Sequence, residues 1–220
     1  MKTDSQIQAD VIQELSWDPS VTHEHVGITA ANGVVTLTGN VPSYAEKYAA
    51  ERAVQRVAGV KAVVEKIEVK LPSMFIRDDS DIAEAILNQF KWSIQVPDRD
   101  VKVTVENGWV TLKGEVDWAF QRNAAERCVH EFTGVKGVIN NVTIKAKSVQ
   151  TDKVKQKIEE ALKREARREA KQIAVEISGS KVILSGDVRT FSEMEEAKWA
   201  AWSAPGVTTV ENRMNVNSRM

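Results

Sequence analysis

Hydrophobic and polar residues alternate along this chain in a pattern that occurs three times. Segment 34–41 reads Val-Val-Thr-Leu-Thr-Gly-Asn-Val, and segments 109–116 and 181–188 keep its Val-x-Leu-x-Gly-x-Val spacing. Apolar residues at every second position predict a half-buried β-strand. The second segment follows the first by 75 residues and the third follows the second by 72 residues. Spacing this regular predicts three copies of one structural unit.

Each copy begins with a predicted helix and a predicted hairpin. In the first copy, apolar residues recur every three or four positions over about 4–16, after the candidate capping residues Asp4 and Ser5, which predicts a helix. A short alternating segment then leads into Asn32-Gly33. Both residues of this pair tolerate positive φ, so they predict a tight turn between two antiparallel strands.

A second helix and a third strand complete the predicted unit. Small apolar residues form one stripe along 43–58, and Gly59 follows them as a typical helix end. Residues 63–69 alternate again and predict a strand. The order helix, strand, strand, helix, strand predicts an α/β fold of the α+β type, a three-stranded mixed sheet with two helices on one face. We expect this fold over residues 1–72, 76–147 and 149–220.

Two glycines recur in every copy, one at the end of the second strand and one at the end of the second helix. These motif glycines are Gly39, Gly114 and Gly186, and Gly59, Gly134 and Gly206. We interpret the first three as structural, because a residue without Cβ permits close helix packing or an unusual φ where the strand ends. The alternative is that the bare backbone there faces a ligand.

This arrangement resembles the BON domain, named for bacterial OsmY and nodulation proteins. The resemblance rests on the helix, the hairpin, the Val-x-Leu-x-Gly-x-Val strand, the Ala-rich helix and a following Gly-Val pair, and it covers nearly the whole chain. It implies a bacterial, non-enzymatic protein of the osmotic or envelope stress response that binds phospholipid or membrane surfaces. One relative of this kind, which also carries a LysM module, binds potassium.

Composition limits the functions that this chain can have. Lys and Arg number 30 against 31 Asp and Glu, a net charge of -1, so we expect no nucleic-acid partner. The single cysteine, Cys128, aligns with Ala53 and Ala200, which favours a buried small residue over a reactive thiol. We interpret His23 and His25 as solvated loop histidines. No nucleophile with a base recurs between copies, so we expect neither catalysis, nor a cofactor, nor a metal.

The location of the protein is also an expectation from sequence. No stretch approaches the roughly 18 apolar residues of a membrane span, and the first residues lack the apolar segment of a signal peptide. We therefore expect a cytoplasmic protein from the sequence as given, and a periplasmic one if a signal peptide has been removed.

Two tryptophans mark a candidate contact surface in the third copy. Trp199 and Trp202 lie three residues apart on its second predicted helix, where the other copies have Arg52 with Gln55 and Arg127 with His130. Polar residues in two copies indicate an exposed helix face. Large aromatic residues on such a face suit a membrane interface, or packing against a neighbouring unit or protomer.

The other four tryptophans fall into two pairs with different predicted roles. Trp109 lies off the core alternation, and Trp118 precedes the second predicted helix of its unit; both join the candidate contact residues. Trp17 and Trp92 follow the first helix of their units, and we expect them to cap the end of its core.

A basic helix is predicted over about 152–171. Its candidate contact residues are Lys163, Arg164, Arg167 and Arg168, and its net charge is +3. Such a helix can lie on an anionic leaflet. The alternative is a solvated helix with i to i+4 ion pairs, such as Glu160 with Arg164.

Two functional hypotheses follow from these surfaces. The first is peripheral binding to anionic phospholipid through the third unit. The second is a soluble adaptor, or a protein that binds a small ligand or an ion, which associates with a protein partner or with itself through exposed aromatic residues.

Overall fold

The computed structural model of the chain describes residues 2–145, 154, 156–160 and 173–217, and they form three units of the same fold. Unit one contains α1 (Asp4–Trp17), β1 (Val26–Ala31), β2 (Val34–Val41), α2 (Tyr44–Arg56) and β3 (Ala62–Val69). Unit two contains α3 (Asp79–Trp92), β4 (Val101–Glu106), β5 (Trp109–Val116), α4 (Ala119–His130) and β6 (Gly137–Ile144). In unit three, residues 154 and 156–160 are helical and form the described part of α5. They precede β7 (Ile173–Ser178), β8 (Lys181–Val188), α6 (Phe191–Trp202) and β9 (Thr209–Val216).

Each unit has its own three-stranded mixed sheet. The strand order in unit one is β1-β2-β3, with β2 antiparallel to β1 and parallel to β3. Units two and three repeat this topology. The predicted fold class is therefore confirmed.

The cores follow the predicted periodicity. In unit one, Ile7, Val11 and Leu15 of α1 pack with Val35 and Leu37 of β2 in one buried cluster. Units two and three have equivalent clusters, which include Phe90 and Ile158 respectively. A domain of roughly 70 residues buries only about 60% of its unfolded surface. Contacts between the units can therefore contribute to the stability of the chain.

The first helix is capped differently from the sequence prediction. Thr3, rather than Asp4 or Ser5, is the N-cap, and its hydroxyl accepts a hydrogen bond from the Gln6 amide at 3.3 Å. The Gln6 side chain accepts one in return from the Thr3 amide at 2.9 Å, which completes a capping box.

The Asp4 carboxylate instead binds the hairpin turn. It accepts hydrogen bonds from the amides of Asn32 and Gly33 at 2.8 and 2.9 Å, and these bonds lower the pKa of Asp4. Asp79 binds the amides of Asn107 and Gly108 in unit two at 2.7 and 2.9 Å. In both units, the start of the first helix is therefore held against the hairpin.

Replacing this carboxylate tests its importance for the fold. We expect Asp79→Ala to lower the free energy of unfolding by about 1 to 2 kcal/mol, because two amides lose a charged acceptor. Asp81→Ala is the matched control, since Asp81 lies in the same first helical turn and makes no such bond to the hairpin. Urea denaturation measures both variants, and equal losses would show that only charge near the helix N-terminus matters.

The motif glycines of the second strands lie two residues before the strand ends, rather than at the end as the sequence suggested. They have positive φ, at 119° for Gly39, 149° for Gly114 and 129° for Gly186. An added Cβ at Gly39 would overlap the His25 carbonyl oxygen, and one at Gly114 would overlap that of Asp100. In each unit, this glycine pairs with the first residue of the preceding strand. For Gly39 and Gly114, the close neighbour is thus the backbone just before the adjacent strand rather than a packed α-helix.

The three units are joined through their second helices. Helix α2 contacts both α4 and α6. Tyr44, the first residue of α2, packs against the core of unit two. Phe191, the first residue of α6, packs against the cores of both unit one and unit three. Tyr44 and Phe191 occupy the same position in the repeat. Unit one therefore contacts unit two, and unit three contacts unit one, through the same repeat position.

Candidate functional site

A cavity of about 420 Å³ lies where the three second helices meet. Four equivalent helix positions from each unit line it. They are Tyr48, Asn123 and Glu195; Glu51, Glu126 and Lys198; Arg52, Arg127 and Trp199; and Gln55, His130 and Trp202. The face of the second helix that points away from its own sheet therefore forms the junction between units.

The tryptophan pair of unit three belongs to this junction. Trp202 is half-buried and packs against the core of its own unit, and the guanidinium of Arg122 in unit two lies 4.5 Å from its ring centroid. Such a cation–π contact is attractive when the ring and the cation are partly desolvated. Trp199 lies on the cavity wall with 37% of its surface exposed. The two rings therefore do not form one open aromatic surface.

The equivalent position in unit two corrects the expectation of an exposed helix face. His130 aligns with Trp202 but is only 7% exposed. Its ring lies 4.2 Å from the Tyr48 ring and 5.3 Å from the Tyr44 ring, both in unit one. The polar residue at this position therefore lies in the contact between two units and not in open solvent. It can be polar because it also lines the cavity.

His130 has an unusual environment for an ionisable side chain. Its Nε2 atom is buried and has no hydrogen-bond partner among the described residues. A carboxylate oxygen of Glu126 lies 3.9 Å from Nε2. Burial lowers the pKa of His130, and the charge of Glu126 offsets this only in part. The imidazole is therefore neutral near pH 7.

Some of the charged residues that line the cavity form ion pairs. Lys198 binds Glu195 at 2.6 Å, and Arg56 binds Glu14 at 2.7 Å. Glu51 accepts a hydrogen bond from Gln55 at 3.2 Å. Burial, together with the charge of Glu65, raises the pKa of Glu51. This mixture of charges makes the junction polar.

The one cysteine shows no features of a nucleophile. Cys128 is half-buried and packs against the core of unit two. Burial raises the pKa of its thiol, so the reactive thiolate is scarce at neutral pH. Within the described ranges, no group of three or more His, Cys, Asp or Glu side chains is arranged to hold a metal ion.

The remaining predicted contact residues are dispersed. Trp109 is half exposed, and its ring lies over Gly137, its neighbour on the adjacent strand. Trp118 is half-buried at the start of α4, and its amide donates to the Gln121 side chain at 3.0 Å. The residues Lys163, Arg164, Arg167 and Arg168 lie outside the described residues.

Two other tryptophans are the most exposed aromatic residues in the described part of the chain. Trp17 and Trp92 end α1 and α3, and each is 86% exposed. The prediction that they cap the helix core is therefore wrong. Arg164 occupies the same repeat position in the third copy, and this charged residue was the signal that the position faces solvent.

Other apolar residues are exposed as well. Ile94 follows Trp92 by two residues and is fully exposed. Met74, Phe75 and Ile76, in the segment that joins units one and two, are exposed too. Exposed apolar residues that lie close together along the chain, as Trp92 and Ile94 do, mark interaction surfaces more often than isolated ones do.

The position of each tryptophan within its unit follows from the helix. The start of α1 is fixed at the hairpin turn by Asp4. Because a helix rises 1.5 Å per residue, 14 residues place Trp17 about 20 Å from that turn. Trp92 has the same relation to the hairpin of unit two. Among the described helices, none is both long and apolar enough to cross a bilayer.

The fold and these surfaces define a class of protein, a tandem array of small α-β-β-α-β domains with exposed aromatic residues. The family model of the BON domain matches residues 3–70, 78–146 and 150–218. The chain therefore belongs to the BON domain family.

Three relatives show sequence similarity. The chain is 31% identical to the osmotically-inducible protein Y of Escherichia coli, over 64% of this chain and 73% of the relative. It is 30% identical to a 21 kDa hemolysin of Actinobacillus pleuropneumoniae, over 61% and 73% respectively. It is 34% identical to the outer membrane lipoprotein DolP of Haemophilus influenzae, over 52% and 60%.

Proposed function

We propose that this protein is a non-catalytic module of the osmotic or envelope stress response that binds phospholipid surfaces peripherally. The observation that carries the proposal is the exposure of Trp17 and Trp92 at equivalent ends of two units. An indole placed in water at a helix end gains free energy when it enters the boundary between headgroups and acyl chains. Ile94, which follows Trp92 by two residues and is fully exposed, extends the area that such contact would bury.

Anionic phospholipid is the proposed surface. The net charge of -1 provides little long-range attraction, so aromatic insertion supplies most of the binding energy. Lys91 precedes Trp92, and the basic residues predicted at 163–168 would add local attraction to an anionic leaflet. We expect binding to weaken with salt but to persist where a purely electrostatic complex would dissociate.

The relatives support an envelope role and location. One relative is named for osmotic induction and another is named an outer membrane lipoprotein. We propose the bacterial envelope as the place where this chain acts, with its aromatic residues as the membrane contact.

Vesicle co-sedimentation tests this proposal. We expect the protein to sediment with vesicles of phosphatidylglycerol and phosphatidylcholine, and Trp17→Ser/Trp92→Ser to bind about tenfold or more weakly. Burying one large apolar side chain is worth about 1.5 to 3 kcal/mol, and 1.4 kcal/mol is a tenfold change in affinity. Trp199→Ser is the matched control, because Trp199 lies on the cavity wall. A native chain that stays in the supernatant with both anionic and neutral vesicles would contradict the proposal.

The alternative, a protein adaptor, is supported by an aromatic contact between two units of this chain. Trp202 joins units two and three through Arg122, so aromatic residues of this chain already serve as contacts between domains. If Trp17 and Trp92 bind another protein copy instead, the native chain should self-associate in analytical ultracentrifugation. The double serine variant should then be monomeric, and neither protein should bind vesicles.

A further inference from the structure

His130 lies in the contact between units one and two, and it contacts both tyrosines of the chain. Tyr44 and Tyr48 are the only two tyrosines, and their rings lie 5.3 and 4.2 Å from the imidazole. Tyr44 also packs against the core of unit two. Protonation of His130 would thus place a positive charge between aromatic rings that join two units.

Apart from the two tyrosine rings, the described residues offer this charge no hydrogen bond at Nε2 and no ion pair shorter than 3.9 Å. Nε2 of His130 is buried and makes no hydrogen bond among the described residues. Glu126 is 3.9 Å from it, which is too long for a hydrogen bond. Asn140 of β6 donates to the other Glu126 oxygen at 2.9 Å and restrains this carboxylate.

The other charged groups around this contact have mixed signs. Tyr48, Glu51 and Arg52 come from α2, Arg127 and Glu131 flank His130 on α4, and Glu195 and Lys198 of α6 line the same cavity. Lys198 pairs with Glu195. Arg127 disfavours a second positive charge on α4, whereas Glu126 and Glu131 favour it, and burial outweighs them.

A histidine occurs at this repeat position in unit two alone. Gln55 and Trp202 occupy the position of His130 in units one and three. Neither side chain titrates between pH 5 and 8, the range in which histidine changes charge. Acid can therefore affect the contact between α2 and α4 through this position without affecting the equivalent position of the other two units.

We propose that His130 makes the docking of unit one on unit two sensitive to pH, with α2 released from α4 when the imidazole is protonated. The sign follows from linkage. The pKa of His130 is lower in the docked form than the usual 6.5, so docking is at full strength above pH 6.5 and weakens as pH falls below it. The docking equilibrium changes by up to tenfold per pH unit between 6.5 and the docked pKa. This proposal is independent of lipid binding.

Fluorine NMR of the full chain tests it. Incorporation of 3-fluorotyrosine gives two signals, and both report on this contact because the chain has only two tyrosines. We expect both signals to move, or a second pair to appear, as pH falls from 7.5 to 5.0. Unit two should keep its fold, as measured by amide hydrogen exchange in β4 to β6.

The control variant is His130→Gln, which introduces the residue of unit one. Its tyrosine signals should stay at their docked positions from pH 7.5 to 5.0. Native signals that do not change with pH, or a His130→Gln variant that changes as the native chain does, would overturn the proposal. If this variant is undocked at pH 7.5, the proposal is tested instead by the pKa of His130, measured from the histidine ring signals of the native chain in proton NMR. His130 must then titrate below the usual 6.5 of an imidazole, and an equal or higher pKa overturns the proposal.

Discussion

Gly114→Val is expected to lower the stability of unit two by about 3 kcal/mol or more, the largest effect of any single change considered for this fold. Gly114 has a φ of 149°, and a Cβ there would overlap the Asp100 carbonyl oxygen. Strain of this kind costs about 1 to 3 kcal/mol before any overlap is relieved, and relief must move the backbone of β4. Valine adds two further methyl groups at the same place.

The control for this variant is Gly179→Val. Gly179 also has positive φ, at 62°, but no heavy atom lies within 4 Å of an added Cβ. We expect a loss of about 1 to 2 kcal/mol from the left-handed conformation alone. Urea denaturation measures both losses, and hydrogen exchange shows whether β4 to β6 open before the strands of unit one. Losses of equal size would show that the Asp100 contact has no energetic role.

The sequence alone predicts the interior of each unit well, because one physical constraint dominates there. A strand with one buried face must alternate, as Val35 and Leu37 do, and a helix that covers it must repeat its apolar residues every three or four positions. Three copies then provide three independent observations of the same pattern. Element order, strand pairing and core residues follow from these constraints.

The arrangement of the units could not be predicted in the same way. The outer face of the second helix carries residues such as Glu51, Arg52 and Lys198, which are typical of a solvated surface. In the structure they line the cavity between the units. The periodicity of the sequence is the same for a helix face that meets solvent and for one that meets this cavity. Polar residues at a repeat position exclude the core of the unit, but they do not distinguish solvent from a neighbouring unit.

The exposure of Trp17 and Trp92 was also not predictable from the hydrophobic pattern alone. Hydrophobicity favoured a place at the end of the core, yet both side chains are almost fully exposed. Comparison between copies was the better guide, because Arg164 shares their position. An apolar residue that one copy replaces by a charged residue is free of the folding constraint.

The junction also depends on which side chains meet across units. Tyr44 of unit one lies against His130 of unit two, and Phe191 of unit three lies against the core of unit one. The equivalent residue in unit two is the small Ala119, whereas the residue in unit three that aligns with His130 is the large Trp202. The size of the residue at each of these repeat positions thus differs between units. The contacts between pairs of units are therefore not interchangeable.

Exchange of residues between copies tests this view at Trp202. We expect Trp202→Gln, which introduces the residue of unit one, to lower the free energy of unfolding by about 2 to 3 kcal/mol. Full truncation of a buried tryptophan costs about 3 to 5 kcal/mol, and the half-buried Trp202 should lose less. The lost contact with Arg122 contributes about 0.5 to 2 kcal/mol of this.

Trp199→Arg is the matched exchange on the same helix. Trp199 is partly exposed on the cavity wall, so we expect a change within about 0.5 kcal/mol. Circular dichroism should show native secondary structure for both variants at low urea, and urea denaturation should separate them. If Trp199→Arg proves as destabilising as Trp202→Gln, both rings are required to hold unit three. If neither destabilises the chain, the Arg122 contact does not contribute to its assembly.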